Sequence, residues 1–228
     1  MRILAIDTSG EACSAALYVD GALSDRFVVQ PRGHSELILE MMQALLAEAE
    51  LPLSRLDALA YGRGPGSFTG VRIAAGVIQG VAYGAGLPVV PVSTLAALAQ
   101  RHHRESGAER VLPAFDARMH EVYWAAYELG ADGLVQLVGR ESVSAPELVE
   151  VPSGKGWQGV GSGWLSYEEA LRQRLGGALD AVHARQLCHA RDIAQLAAKG
   201  LAAGAAVSAE QALPVYLRNQ VASKPRSG

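Results

Sequence analysis

The chain has 228 residues, half of them hydrophobic, and a formal net charge of −3. That is enough apolar material for one large core or two modest ones without staples, and so slight a charge excludes a global pull towards nucleic acid or acidic membranes. Two cysteines, Cys13 and Cys188, match no metal or redox spacing, and the opening MRILAID lacks the parts of a secretory signal, so a cytoplasmic protein is expected.

Residues 2–6 read as a strand ending at Asp7-Thr8-Ser9-Gly10; residues 12–19 and 22–29, separated by the turn signal Asp20-Gly21, read as two more. A carboxylate and two hydroxyls at a strand end can hold a phosphate or a hydrated cation, although Asx-type turns with the same letters are commoner. A helix is expected over 35–49, with Ser35 as N-cap. At 100° per residue, Leu37, Ile38, Leu39, Met41, Met42, Ala44, Leu45 and Leu46 sweep an apolar arc of roughly 200°, where about 100° covers a sheet. The surplus asks for a second buried contact, either another chain or a loop of the same one.

Residues 56–94 organise the rest. An apolar strand (56–61) meets a glycine corner, Gly62 to Gly70; a small-residue helix (69–85) and a strand (89–92) follow, so the two strands are parallel neighbours. A corner built on Gly64 and Gly66 before a helix can cradle an anion. Its spacing matches neither standard nucleotide fingerprint, and a turn required only for packing is the alternative. In the helix, Gly76, Gly80 and Gly84 recur on one face. Each costs about 1 kcal/mol relative to alanine, and the return expected is another backbone lying on that face. Arg72, Gln79 and Pro88 argue against a membrane span, leaving a buried soluble helix.

Residues 94–103 read as a helix whose end, Arg101-His102-His103-Arg104, is solvated, with Ser106-Gly107-Ala108 as a hinge. From Val111 the opening pattern recurs, with Asp116 opposite Asp7 but Ala117 and Arg118 in place of Thr8 and Ser9. Tyr123, Trp124 and Tyr127 read as strand core and edge. A short helical piece (146–149), a strand (158–162), helices over 165–175 and 190–203, and a closing PVYLR segment follow; residues 176–186 carry no clear element, and 223–228 read as a frayed tail. Two related α/β lobes are expected, over 1–105 and 106–228, with the closing helix packing back on the first.

The stretches ILAIDTS (3–9), HSELIL (34–39), GPGSFTGVRIA (64–74), FDARMHEVYWA (115–125) and PVYLRN (214–219) together resemble the TsaB (YeaZ-type) family of bacterial tRNA threonylcarbamoyladenosine synthesis. The resemblance implies an actin-like/Hsp70-like ATPase (ribonuclease H-like) fold of two lobes, each with a mixed sheet flanked by helices, the second lobe reduced. It implies a partner, TsaD, that transfers the threonylcarbamoyl group from threonylcarbamoyl-AMP to N6 of adenosine 37 in tRNAs reading codons that begin with A. It further implies a third protein, TsaE, self-pairing as a homodimer without TsaD, and contact with tRNA only through the complex. TsaD-like proteins carry a metal-binding His-His-Met-Glu-Gly-His segment after the strand written VVPV here; this chain has Thr94 and Leu98 at the two ligand positions. A catalytically inert paralogue is therefore expected, with no metal and no cofactor beyond a nucleotide at the junction with TsaD and TsaE. By the same resemblance, Leu37, Ile38, Met41, Met42, Leu45, Ile73, Val77 and Gly80 face the partner, and Asp7, Thr8, Ser9, Gly64 and Gly66 form a weak nucleotide or anion site. An ATPase of the same superfamily is the alternative; a peptidase finds no H-E-x-x-H or G-x-S-x-G.

Overall fold

The computed structural model describes residues 1–30 and 32–218. Three strands, β1 (Arg2–Asp7), β2 (Ala12–Val19) and β3 (Ala22–Val29), form an antiparallel meander in which Asp7 pairs with Ser14 and Ala12 with Val29. Helix α1 (His34–Glu48) returns the chain to β4 (Ala58–Gly62); α2 (Phe68–Ala85) leads to β5 (Val89–Val92). The sheet runs β3-β2-β1-β4-β5, with β1, β4 and β5 parallel. Residues Ile3 to Asp7 are all buried because helices cover both faces, which is why β1 reads as an unbroken apolar run and not as an alternation.

Helix α3 (Thr94–Ser106) crosses to a second sheet made of β6 (Arg110–Arg118), β7 (Glu121–Leu129), β8 (Val135–Ser144), β9 (Trp157–Val160) and β10 (Leu179–His183), with α4 (Ser162–Leu175) between the last two. Its order, β10-β9-β6-β7-β8, repeats that of the first: a three-stranded meander, then two parallel strands added beside its first member. The counterpart of α1 has shrunk to the single turn Pro146–Leu148. Helix α5 (Ala190–Ala202) comes back onto the first sheet, where Ile193, Ala194 and Ala197 pack on Ile3, Ala5, Ala58 and Ala60. Leu95, Leu98 and Ala99 of α3 pack on Val111, Ala125 and Val160 of the second sheet. Both sheets therefore meet through the α3–α5 layer. Trp124 and Tyr127 belong to the cores of the second sheet.

Several boundaries differ from the expectation for identifiable reasons. Helix α1 is capped at Gly33, φ 85°, with no side-chain cap at Ser35; His34 is buried and its ring Nε2 bonds the Gln30 carbonyl at 2.8 Å, so the N-cap lies two residues earlier than expected. Helix α3 continues to Ser106 and ends on Gly107, φ 76°, whose N–H donates to the His103 carbonyl at 2.7 Å; the segment is a C-cap, not a hinge. Strand β10 had no alternation to announce it, only Leu179, Ala181 and Val182 between polar residues. The tail at 223–228 lies outside the described residues.

Candidate functional site

The Asp7 turn and the glycine corner meet face to face. Thr8 donates its hydroxyl to the Gly70 carbonyl (2.7 Å), the Ser67 N–H donates to the Ser9 carbonyl (2.7 Å), and the Ser9 hydroxyl donates to Asp7 Oδ2 (3.2 Å). A Cβ at Gly70 would collide with the Thr8 carbonyl, one at Gly66 would lie 2.6 Å from the Ser9 carbonyl, and one at Gly62 would strike Asp7 Oδ1. The glycines are needed because two backbone turns interlock, so close packing explains them. Asp7 and Thr8 are completely buried, and Asp7 Oδ1 has no hydrogen-bond partner among the described residues. Burial pushes the Asp7 carboxyl up to about 6, against the opposing hydrogen bonds from Ser9 and the nearby His34.

Two of the donors that an anion would need are already engaged. The Ser67 and Gly70 N–H groups are spent inside the chain, the latter on the Ser67 hydroxyl at 3.3 Å, and the Val215 carbonyl lies 3.1 Å from where a Gly64 Cβ would be. Close packing accounts for the glycines around Asp7, Thr8, Ser9, Gly64 and Gly66, where the two turns form an interlocked joint. Thr94 and Leu98 are also fully buried: the Thr94 hydroxyl bonds the Pro65 carbonyl, and Leu98 packs against Gly161. Among the described residues no group of three or more His, Cys, Asp or Glu could hold a metal ion.

The Arg101–Arg104 cluster is solvated only in part: Arg104 is exposed, whereas His102 is not. His102 is buried, with Nδ1 2.8 Å from Gln186 Oε1 and Nε2 2.7 Å from Gln158 Oε1, and its burial pushes its pKa down. Arg104 forks onto the buried Asp192 of α5 at 2.9 and 3.0 Å. The unannounced β10 and the loop after it cover this end, leaving a cleft of about 620 Å³ lined by Arg101, Glu105, His183 and Arg185 among others.

The two helices on the outer face of the first sheet divide differently from the expectation. Ile38 and Leu45 are 0% exposed, and Met41 and Met42 are buried beside them, packed with Leu59, Tyr61 and Ile78 of the same chain. They cannot present a surface to a partner; most of the α1 surplus is absorbed by α2. Leu37, Ile73 and Val77 are half-buried, while Leu39 and Gly80 are exposed. Helix α2 buries Gly70, Val71, Ala74, Ala75, Ile78 and Ala82 and turns its other side outward. Among the described residues, nothing beyond their own helix backbone and chain neighbours lies within 4 Å of where a Cβ on Gly76, Gly80 or Gly84 would be. The close approach expected of these glycines is therefore not made among the described residues, where α2 is not buried all round. Ile73 and Val77 flank this bare backbone groove, with exposed Phe68, Arg72 and Tyr83 at its ends.

A family model described as TsaD, tRNA N6-adenosine threonylcarbamoyltransferase, matches residues 28–225. The tRNA threonylcarbamoyladenosine biosynthesis protein TsaB of Escherichia coli (strain K12) is 47% identical, the match covering 100% of this chain and 99% of the relative. Its namesake in Haemophilus influenzae is 38% identical over 100% of this chain and 98% of its own. Among solved structures, YeaZ from Pseudomonas aeruginosa superposes with a TM-score of 0.88 at 50% identity, covering 95% of this chain and 99% of that one. A second structure, described as an uncharacterized protein with similarity to peptidase YEAZ from the same organism, gives 0.89 at 50% identity over the same shares. The paired mixed sheets agree with a ribonuclease H-like, actin-like fold. No helix of the described residues is long and apolar enough to cross a membrane. The chain belongs to the TsaB (YeaZ-type) family, paralogous to TsaD.

Proposed function

We propose that the chain is a non-catalytic scaffold subunit in the synthesis of tRNA threonylcarbamoyladenosine. It pairs with a TsaD protein that carries out the transfer to adenosine 37, and TsaE joins the pair. The observation that carries this reading is the bare face of α2. Three interior glycines, each destabilising by about 1 kcal/mol, are given no contact by the described residues outside their own helix. A second helix laid along Gly76, Gly80 and Gly84 could bring its backbone closer than the usual 8–10 Å between helix axes, with Leu39, Ile73 and Val77 packing at the margins. Helix α2 is about 27 Å long, enough to seat the centre of a standard interface. A second copy of the chain fits the same groove as a two-fold homodimer when TsaD is absent. The use of Thr94 and Leu98 as packing residues supports assigning the chemistry to the partner, and tRNA is then reached through the assembly. The ATPase alternative meets an Asp7 with no surface, and calorimetry with ATP and magnesium on the isolated chain would reveal it if tight binding appeared.

The test is Gly80→Glu. The site is open and exposed, and glutamate is a better helix former than glycine, so the isolated chain should fold at least as well as the parent. Pairing with TsaD, measured by the mass of the mixture, should fall at least tenfold, and reconstituted tRNA modification should fall with it. A folded variant that pairs and supports modification at parental levels would overturn the assignment.

A further inference from the structure

The closing segment Leu213-Pro214-Val215-Tyr216-Leu217-Arg218 has no regular secondary structure, yet it is fixed at both ends. In the first lobe, the Tyr61 hydroxyl donates to the Leu213 carbonyl at 3.0 Å and the Val215 N–H donates to the Arg63 carbonyl at 2.9 Å. The Arg72 guanidinium of α2 lies 3.3 Å from the centre of the Phe68 ring and 5.0 Å from that of Tyr216. In the second lobe, the Arg218 guanidinium donates to the Ala117 carbonyl (3.2 Å), the Arg118 carbonyl (3.5 Å) and the Glu121 carboxylate, and touches Met119 Sδ at 3.3 Å. Six residues thus run from the base of α2 to the β6–β7 hairpin.

That hairpin is unusual. Arg118, Met119 and His120 are three consecutive non-glycine residues in the left-handed region, with φ of 62°, 54° and 59°. They are not held there by burial: Met119 is 77% exposed. The turn is held from below, by the Arg118 N–H on Asp116 Oδ1 at 2.7 Å and by Arg218 on its carbonyls. A conformation this costly persists where its surroundings over-determine it.

We infer that residues 213–218 are a strap coupling the outer face of α2 to the Arg118–His120 turn. The inference rests on the reading of that face as the docking surface for a TsaD protein. Phe68, Arg72 and Tyr216 stand exposed at the N-terminal end of the glycine groove, so a helix seated there meets the strap as well as α2. Seating the strap tightens the grip of Arg218, and the turn is held in its left-handed form; loosening the strap frees the Ala117 and Arg118 carbonyls and lets the turn relax.

Hydrogen exchange on the full chain, alone and with a TsaD protein, tests this. In the parent, the partner should slow exchange on α2 and also at 117–121, at least threefold. In Arg218→Ala, α2 should be protected as before while 117–121 exchanges at least tenfold faster than in the parent and no longer responds to the partner. Tyr216→Ala, at an exposed ring, should blunt the response without touching Arg218. If α2 is protected but 117–121 behaves identically in the parent and Arg218→Ala, the strap inference is overturned while the docking reading stands. If α2 itself gains no protection, the docking reading falls and the coupling falls with it.

Discussion

Asp7 sits at the end of β1 with one carboxylate oxygen bonded to Ser9 and the other unpartnered among the described residues. Its folded pKa, about 6, stands above the unfolded value of 3.8, so the folded chain binds this proton more tightly than the unfolded one. The contribution of Asp7 to stability is therefore complete below about pH 4 and is lost as pH rises through 6. Above that, a buried charge is being maintained at a cost. Asp7→Asn removes the charge and should raise stability at pH 7 by about 1–3 kcal/mol, a gain that vanishes below about pH 4. Urea unfolding of both proteins between pH 4 and pH 8 reads this directly, and parallel curves would refute it. The Asp-Thr-Ser letters marked this turn as chemically interesting, but nothing near it in sequence announces its burial. Asp7 Oδ1 instead lies against the Gly62 backbone, at a point where Thr94 and Ile193 also converge, residues that only the folded topology brings together.

Helix α2 shows how far periodicity carries. The spacing of Gly76, Gly80 and Gly84 defines a face, and the hydrophobic residues between them define the opposite one; both are visible in the letters. Which of two apolar helices spends its surface inside the chain is not. Helix α1 has the wider arc, yet Ile38, Met41, Met42 and Leu45 are consumed by the sheet and by α2. A charge at Met41 or Leu45 would enter the core, so loss of pairing in such a variant would report unfolding and not an interface. The glycines permit a cleaner experiment. Since nothing among the described residues packs on them, replacing all three by alanine should stabilise the isolated protein by about 1–3 kcal/mol through helix propensity alone, and should weaken pairing because each methyl holds the second helix away. Thermal unfolding together with titration against a TsaD protein separates the two effects. A variant that is destabilised in isolation would mean that the face is covered in the free chain.

At the scale of the whole molecule, the duplication was legible because each lobe repeats the same local order, a meander followed by parallel strands, and meanders are local in sequence. The joint between the lobes was not, because it is made by single side chains far apart. Glu141 on β8 is its centre: its carboxylate accepts from the Tyr127 hydroxyl at 2.7 Å and from the Ser93 hydroxyl at the start of α3, and lies 3.6 Å from the Arg63 guanidinium of the glycine corner. Burial and this carboxylate together push the Tyr127 phenol well above its ordinary range. Removing the carboxylate strands a buried hydroxyl, and a stranded group costs more than a missing bond. Glu141→Ala should therefore destabilise by about 1–3 kcal/mol, Tyr127→Phe should cost less, and the double variant should cost measurably less than the sum. In Glu141→Ala the Tyr127 phenol should also ionise at lower pH, visible as an ultraviolet difference against Tyr127→Phe. Strict additivity in the cycle would mean that Glu141 and Tyr127 act independently, and the cost of Glu141→Ala would then come from its contacts with Ser93 and Arg63 across the joint.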